Sequence, residues 1–373
     1  MKPNRGTTRR QFGRQFAGAI GSTATAAAAL SMRPLFSIST NDGYVHLGFN
    51  ESPYGPSEKT WSAIRDSISL GGRYPFDLSY DNLKTQIGRF HGLTEGNVLI
   101  GAGSTEILKV CDDLFLRSKP HLVVADATYE AVYQYAVNSR SNVTKVPLTG
   151  DHRHDLDKMA AAIRRDTGLV FICNPNNPTG TIVTKDEMQR FMNRVPESVT
   201  VLVDEAYSHF AGPDYESVIR YVKEGRRVVV ARTFSKAYGL AGMRIGYGLA
   251  KGSLMDDLRP YGLDFNLSVP SVAAAETALD DTQQIDKTVK ANGVQRSAFY
   301  AEMKSAGFDF IPSQANFVMV DIRTEVSPII DEFWKKKILV GREFPPMTKF
   351  LRVSLGTDDE MQQFYAAFRQ IVR

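Results

Sequence analysis

The chain is poor in the residues that would make it a metalloprotein, a disulfide-stapled protein or a nucleic-acid binder. Its 373 residues include only two cysteines, Cys111 and Cys173. Cys111 falls in a helical pattern and Cys173 closes an apolar strand-like run, so buried free thiols fit them better than a disulfide. The six histidines show no metal-ligand spacing, so no metal is expected, and His152-Arg153-His154 reads as a solvated turn. Lys and Arg number 45 against 41 Asp and Glu, with no basic stripe, which excludes an electrostatic nucleic-acid surface. There is no internal repeat. The apolar run Phe16–Leu30 is too short and too rich in Gly and Thr to span a membrane. What remains, 43% hydrophobic and 23% charged, is the balance of a globular chain with ample length for one large or two medium domains.

Residues 1–36 stand apart from that fold. Lys2, Arg5, Arg9, Arg10 and Arg14 come without an acid, then the weakly apolar run, then small residues at Ala26 to Ala29 suited to cleavage. This is a signal-peptide pattern. Thr8-Arg9-Arg10-Gln11-Phe12 is similar to the twin-arginine export signal, which implies the twin-arginine translocation machinery as a partner and a periplasmic or exported location, with a cytoplasmic one as the alternative. Without those five cations the formal charge of +4 becomes −1 (4 − 5).

From residue 98 onwards apolar runs alternate with helical patterns. Val98–Ile100, His121–Ala125, Val143–Leu148, Gly168–Cys173, Val199–Val203 and Arg226–Ala231 read as strands. Helical patterns lie near 130–139, 155–165, 185–194 and 215–224. Continuous apolar strands with helical crossovers predict an α/β fold with a mostly parallel sheet covered on both faces. Ligands of such sheets bind at the carboxyl ends of the strands. Polar clusters fall there: Asp126 to Tyr129, Asn174 to Gly180, Asp204 to Tyr207, and Lys236. After about Pro260 the pattern changes to long helices over 269–305, then strands near 315–320 and 351–355 and a final helix from Asp358, which predicts a smaller α+β domain. The expected organisation is an N-terminal segment over 37–72 that joins the small domain, a large domain over 73–262 and a small domain over 263–373.

The chemistry centres on Arg232 to Tyr247. Lys236 sits in a Ser/Gly-rich turn between two apolar runs, where desolvation lowers a lysine pKa towards the nucleophilic free amine. Ser235 and Arg244 beside it suit an anion. A nucleophilic lysine next to a phosphate-holding serine and arginine points to an aldehyde cofactor with a phosphate tail, pyridoxal 5'-phosphate. Gly101-Ala102-Gly103-Ser104-Thr105-Glu106 enters a helix and offers backbone N–H groups and the positive dipole end to that phosphate, or else an ordinary N-cap at Ser104. The same run lacks the third glycine of a dinucleotide fingerprint.

Together these pieces resemble the fold-type-I pyridoxal-phosphate aminotransferases of class I/II, and among them the histidinol-phosphate aminotransferase branch. The resemblance rests on Asn50-Glu51-Ser52-Pro53-Tyr54-Gly55, Arg73-Tyr74-Pro75, Gly101 to Glu106, Asn174 to Gly180, Asp204-Glu205-Ala206-Tyr207, Thr233 to Gly246 and Leu351-Arg352-Val353-Ser354, in that order over almost the whole chain after residue 44. It implies a three-layer fold and transfer of an amino group between an L-amino acid, or an amino-acid-derived metabolite, and a 2-oxo acid. Lys236 is then the residue bonded to the cofactor and the proton carrier. Asp204 pairs with the pyridine nitrogen, and Tyr207 and Asn177 with the phenolate oxygen, although Asn177 also suits a plain turn. Ser104, Thr105, Ser235 and Arg244 hold the phosphate and Tyr129 stacks on the ring. Tyr74 reaches the neighbouring subunit's cofactor, which implies a homodimer with composite sites. Arg352, with Asn316 nearby, binds the substrate carboxylate.

Two points depart from that pattern. At Leu339-Val340-Gly341-Arg342-Glu343-Phe344-Pro345-Pro346-Met347 the arginine is shifted by one residue, so Arg342 either binds a distal anion or pairs with Glu343. Export does not suit histidine biosynthesis, whose intermediates are made in the cytoplasm. An amino acid decarboxylase on the same scaffold would use the same Lys, Asp and Arg, and is the alternative activity.

Overall fold

A computed structural model describes residues 43–74 and 77–372. The signal-peptide reading of residues 1–36, and Pro75 of the Arg-Tyr-Pro motif, lie outside the described residues. The described residues build twelve strands: β1 (Val45–Leu47), β2 (Val98–Gly101), β3 (His121–Ala125), β4 (Asn142–Val146), β5 (Thr167–Cys173), β6 (Thr200–Asp204), β7 (Val228–Thr233), β8 (Gly246–Ala250), β9 (Phe310–Ile311), β10 (Phe317–Asp321), β11 (Ile338–Val340) and β12 (Phe350–Ser354). Seven of them form one sheet in the order β2-β8-β7-β6-β5-β3-β4. Its strands are parallel except β8, which runs antiparallel to both β2 and β7.

The sheet's strands read as unbroken apolar runs because both faces are covered. Side chains alternate across a strand. Val123, Val170, Ile172, Val201, Val203, Val228 and Val230 fill one core. Leu122, Val124, Leu169, Phe171, Leu202 and Val229 fill the other, against the helix Ser104–Ser118. A smaller body is built on the antiparallel sheet β12-β10-β9 and the β1-β11 pair, and is covered by the helices Thr282–Ser305, Val326–Lys335 and Asp358–Ile371.

The boundaries expected at 72/73 and 262/263 do not coincide with the packing. Val45 and Leu47 join the smaller core, while Ile64 of the helix Glu58–Ser67 joins the larger one. The helix Val269–Asp280 also packs there, through Val272, Ala275 and Leu279, and its small alanines let it lie close against the helix Glu58–Ser67. The helix expected over 215–224 forms only over Ile219–Lys223. The preceding Ser217 hydroxyl and Val218 N–H are instead held by the Glu205 carboxylate.

Cys111 and Cys173 are both buried free thiols. His154 is not solvated: it is fully buried, and that burial lowers its pKa to about 4. His152 and Arg153 of that turn keep partial exposure, His152 edge-on to Phe350.

Candidate active site

The polar clusters meet at one edge of the seven-stranded sheet. The carboxyl ends of β2, β3, β5, β6 and β7 point to that edge, and so does the amino end of β8, because β8 runs the other way. At the β2 end Gly103 caps the helix Ser104–Ser118 with φ +79°. A Cβ on Gly103 would lie 2.6 Å from Arg244 Nη2, so the guanidinium rests against the bare helix start. A Cβ on Gly246 would lie 2.4 Å from Ser104 N. Two glycines therefore let the β2 turn, the β8 start and Arg244 close around one point. The cap is Gly103 and not Ser104, whose hydroxyl stays free for a ligand's oxygen.

Arg244 has its backbone in the left-handed region, at φ 53° and ψ 53°. Its Nη1 donates to Ala241 O at 2.9 Å and to Ser235 Oγ at 3.5 Å. Ser235 Oγ also accepts from Thr233 Oγ1 at 2.9 Å. Backbone N–H groups at a helix start, two hydroxyls and an arginine form a cup for a phosphate dianion. Tyr129 stands beside this cup, half-buried and hydrogen-bonded to Thr105, within electrostatic reach of Asp204.

Asp204 ends β6 and is 3% exposed. Its Oδ1 accepts the Ala206 N–H at 3.0 Å. Burial raises its pKa from 3.8 to about 7, against the lowering effects of that hydrogen bond and of Lys236. Lys236 follows β7, and its Nζ donates to Phe49 O at 3.0 Å. Burial first, and then the Arg352 charge, lower its pKa from 10.5 to about 8. Burial thus raises the acid and weakens the base on two adjacent strand ends, the pattern of a site and not of a solvated surface. The Lys236 ammonium lies 5.7 Å from the centre of the Tyr207 ring. The buried Tyr207 hydroxyl accepts from Asn50 Nδ2 at 3.0 Å, and burial pushes its pKa up while Arg352 opposes the rise.

Arg352 comes from β12 of the smaller body and reaches across. Its Nη1 donates to Asn177 Oδ1 at 2.7 Å and its Nη2 to Gly48 O at 2.5 Å. Nε has no hydrogen-bond partner among the described residues. Burial lowers the Arg352 pKa from 12.5 to about 10, the mark of a cation held without a carboxylate of its own. Asn177 is thus not a plain turn residue. It joins the two bodies.

Two expected site residues lie differently. Asn316 Nδ2 donates to Asn50 O and Glu51 O at 3.0 and 3.2 Å, so it splints the 50–51 segment against β10. Arg342 does not pair with the Glu343 carboxylate: its Nη1 donates to the Glu343 backbone oxygen and its Nη2 pairs with Glu130 Oε2 at 2.7 Å. The shift by one residue re-aims the side chain, since consecutive positions of an extended segment face opposite ways. Tyr74 is 78% exposed and meets Phe265 at 5.2 Å, outside this cluster in the single chain.

The sequence reading did not single out several residues that shape the site. Asn50 touches Tyr207, and Gly48 and Phe49 supply carbonyls to Arg352 and Lys236. Asn50 opens one of the motifs that carry the resemblance but has no role assigned there, and Gly48 and Phe49 precede that motif without a signal of their own. Beneath Asp204, Glu205 forms a buried ion pair with Arg232, whose Nε and Nη2 lie 3.0 and 2.7 Å from Oε2. Nothing in the sequence marks Glu205 as paired with Arg232, because the contact joins two strands.

The match to known proteins has the same extent. The family model for aminotransferase class I and II matches residues 42–368. The chain is similar to a histidinol-phosphate aminotransferase of Moorella thermoacetica, with 38% identity over 88% of this chain and 85% of that one. It is 34% identical to the enzyme of that name from Bacillus subtilis, over 89% of this chain and 92% of the relative. The crystal structure of histidinol-phosphate aminotransferase from Sinorhizobium meliloti in complex with pyridoxal-5'-phosphate superposes with a TM-score of 0.83 at 29% identity, covering 88% of this chain and 91% of that one. With the phosphate cup, the buried acid and the weakened lysine on adjoining strand ends, the chain belongs to the class I and II aminotransferases and is a pyridoxal-phosphate-dependent transaminase.

Proposed function

We propose that this enzyme moves the amino group of an L-amino acid, or of a metabolite derived from one, to a 2-oxo acid, and that Arg352 holds the carboxylate of the 2-oxo acid and the carboxylate of the donor, or the anionic group that stands in its place. The observation that carries the reading is Arg352 itself, a buried guanidinium with one N–H unpartnered, reaching over from the smaller body to Asn177 beside Lys236 and Tyr207. The relatives are named for histidinol phosphate, and a substrate of that kind is the finer form of the same reading.

Bound pyridoxal phosphate supplies the electron sink that makes the substrate Cα–H acidic. The residues fit the cofactor: the helix start at Gly103, Ser104, Thr105, Ser235 and Arg244 hold its phosphate, and Tyr129 covers its ring. Asp204 would pair with the pyridine nitrogen and keep it protonated, and that positive charge would offset the burial that disfavours the Asp204 carboxylate on its own. Tyr207, oriented by Asn50, and Asn177 would hold the ring oxygen by hydrogen bonds. Lys236, with a pKa of about 8, takes the proton from the substrate Cα and returns it, as a free amine must. Arg352 fixes the carboxylate and so orients the substrate against Lys236.

Tyr74, exposed in the single chain, completes the site of a second copy in a homodimer. Residues 1–36 direct export by the twin-arginine route, which carries folded, cofactor-loaded chains.

The test is an absorbance spectrum of the purified holoenzyme through titration with L-amino acids. A visible band absent from Lys236→Ala, bleached by an amino acid and restored by a 2-oxo acid without release of CO2, is the expected result. A band that amino acids discharge only with CO2 release overturns transamination. Cell fractionation with and without Arg9→Lys and Arg10→Lys tests export; a cytoplasmic location in both cases refutes it.

A further inference from the structure

Beyond Arg352 the site carries a second arginine that is already neutralised. Glu130 follows Tyr129 in the larger body, and Arg342 follows β11 in the smaller one. Among the described residues theirs is the one ion pair that joins the two bodies, at 2.7 Å. It stands next to the carboxylate-holding arginine. The Phe344 ring lies between the two cations, 4.2 Å from Arg342 Cζ and 4.5 Å from Arg352 Cζ. Arg342 and Glu130 both act on the charge of Arg352, in opposite directions. Phe344 belongs to an apolar cluster with Ala127, Ile311, Met319 and Met347, which lines the same seam.

The preceding position cannot carry a cation of its own. A Cβ on Gly341 would lie 2.7 Å from Arg352 O and 2.9 Å from Arg352 Cβ. The positive charge is therefore displaced to residue 342, where Glu130 meets it.

We propose that the Glu130–Arg342 pair sets the side-chain preference of the site: with the α-carboxylate on Arg352, the enzyme favours amino acids whose side chain is uncharged and apolar or aromatic, and disfavours those with a second anionic group, carboxylate or phosphate. A second anion has to displace Glu130 from Arg342 and then sit beside the released carboxylate. A cationic side chain that approaches Glu130 meets Arg342 in the same way. An apolar side chain meets neither cost and gains contact with the Phe344 cluster. The inference rests on the reading of Arg352 as the carboxylate holder.

The experiment is calorimetric titration of the holoenzyme with carboxylates that lack an amino group and so cannot react. The probes are 3-phenylpropanoate, glutarate and 3-phosphonopropanoate. The wild type is expected to bind 3-phenylpropanoate at least about fivefold more tightly than either dianion, the scale of one partly exposed charge pair. Glu130→Gln frees Arg342 and shifts the ratio of the two affinities towards the dianions by about fivefold or more, whereas Arg342→Gln does not. Both side chains are partly exposed, at 30% and 47%, so both variants are expected to fold. A wild type that prefers glutarate or 3-phosphonopropanoate overturns the inference, and so does a ratio unchanged in Glu130→Gln, while the carboxylate role of Arg352 stands. Binding of none of the three probes, together with a spectrum that no amino acid moves, overturns the Arg352 reading itself.

Discussion

The Asp204 carboxyl gives a prediction in which stability and activity move in opposite directions. Asp204 is buried, and its pKa rises from 3.8 to about 7 on folding. A group raised in this way stabilises the fold fully below 3.8, and the contribution is lost as the pH rises through about 7. A tenfold change in proton affinity corresponds to about 1.4 kcal/mol, so the apoprotein forfeits about 4 kcal/mol between pH 4 and 8 on account of this one group. Asp204→Asn removes the titration and keeps an oxygen to accept the Ala206 N–H. The variant apoprotein is therefore expected to equal the wild type near pH 4 and to exceed it by about 2–4 kcal/mol at pH 7. Urea unfolding of both apoproteins at one protein concentration, at several pH values from 4 to 7, measures the difference. Lys236 is protonated in both folded and unfolded chains until about pH 8, so its own linkage, stability regained as the pH rises above that value, changes little between pH 4 and 7; loss of the Asp204 charge lowers the Lys236 pKa further, so the comparison is read below the pH at which Lys236 titrates. The holoenzyme behaves oppositely. Without an acid to hold the ring proton, Asp204→Asn loses transamination by about 10²–10⁴-fold. Parallel stability curves for wild type and variant, within about 0.5 kcal/mol from pH 4 to 7, would falsify the assignment of Asp204 as a buried, strained acid.

Three further perturbations follow from named contacts. Arg352→Lys keeps the charge but loses the fork that spans Asn177, Gly48 and the substrate, so steady-state kinetics should show KM raised by about 10–100-fold; an unchanged KM refutes the carboxylate role. Gly103→Ala places a methyl against Arg244 at a left-handed φ, which costs roughly 1–2 kcal/mol of stability. Because the struck atom is the end of a flexible side chain, the larger effect is expected on cofactor affinity, about tenfold weaker by equilibrium dialysis. Equal affinity would show that Arg244 is not part of the phosphate cup. Glu205→Gln leaves Arg232 buried without its counter-charge and is expected to destabilise the fold by about 3–5 kcal/mol in urea melts; a loss below about 1 kcal/mol would mean that water reaches the pair.

The alternation of apolar runs with helical patterns determined the large sheet, because strands covered on both faces must be apolar at every position, and such runs are visible without coordinates. Strand ends are equally visible, so Asp204, Asn177, Lys236 and Tyr129 were placed on one edge as soon as the strands were taken as parallel. The phosphate turn was legible from its glycines, since only a residue without Cβ permits the approach of Arg244. Neighbours far apart in the chain were not legible. Asn50 meets Tyr207 from 157 residues away, and Arg352 meets Gly48 from 304 away. No periodicity encodes such pairs, because they depend on how the smaller body docks against the sheet. The same docking decided that Asn316 splints a loop and that Arg342 finds Glu130 and not Glu343. Helix limits were also settled in three dimensions: Ser217 and Val218 stay outside their helix because a carboxylate from the end of β6 holds them. Local sequence specified which groups stand at each strand end, and tertiary contact determined what each group touches, because distance along the chain carries no information about distance in space until the bodies have packed.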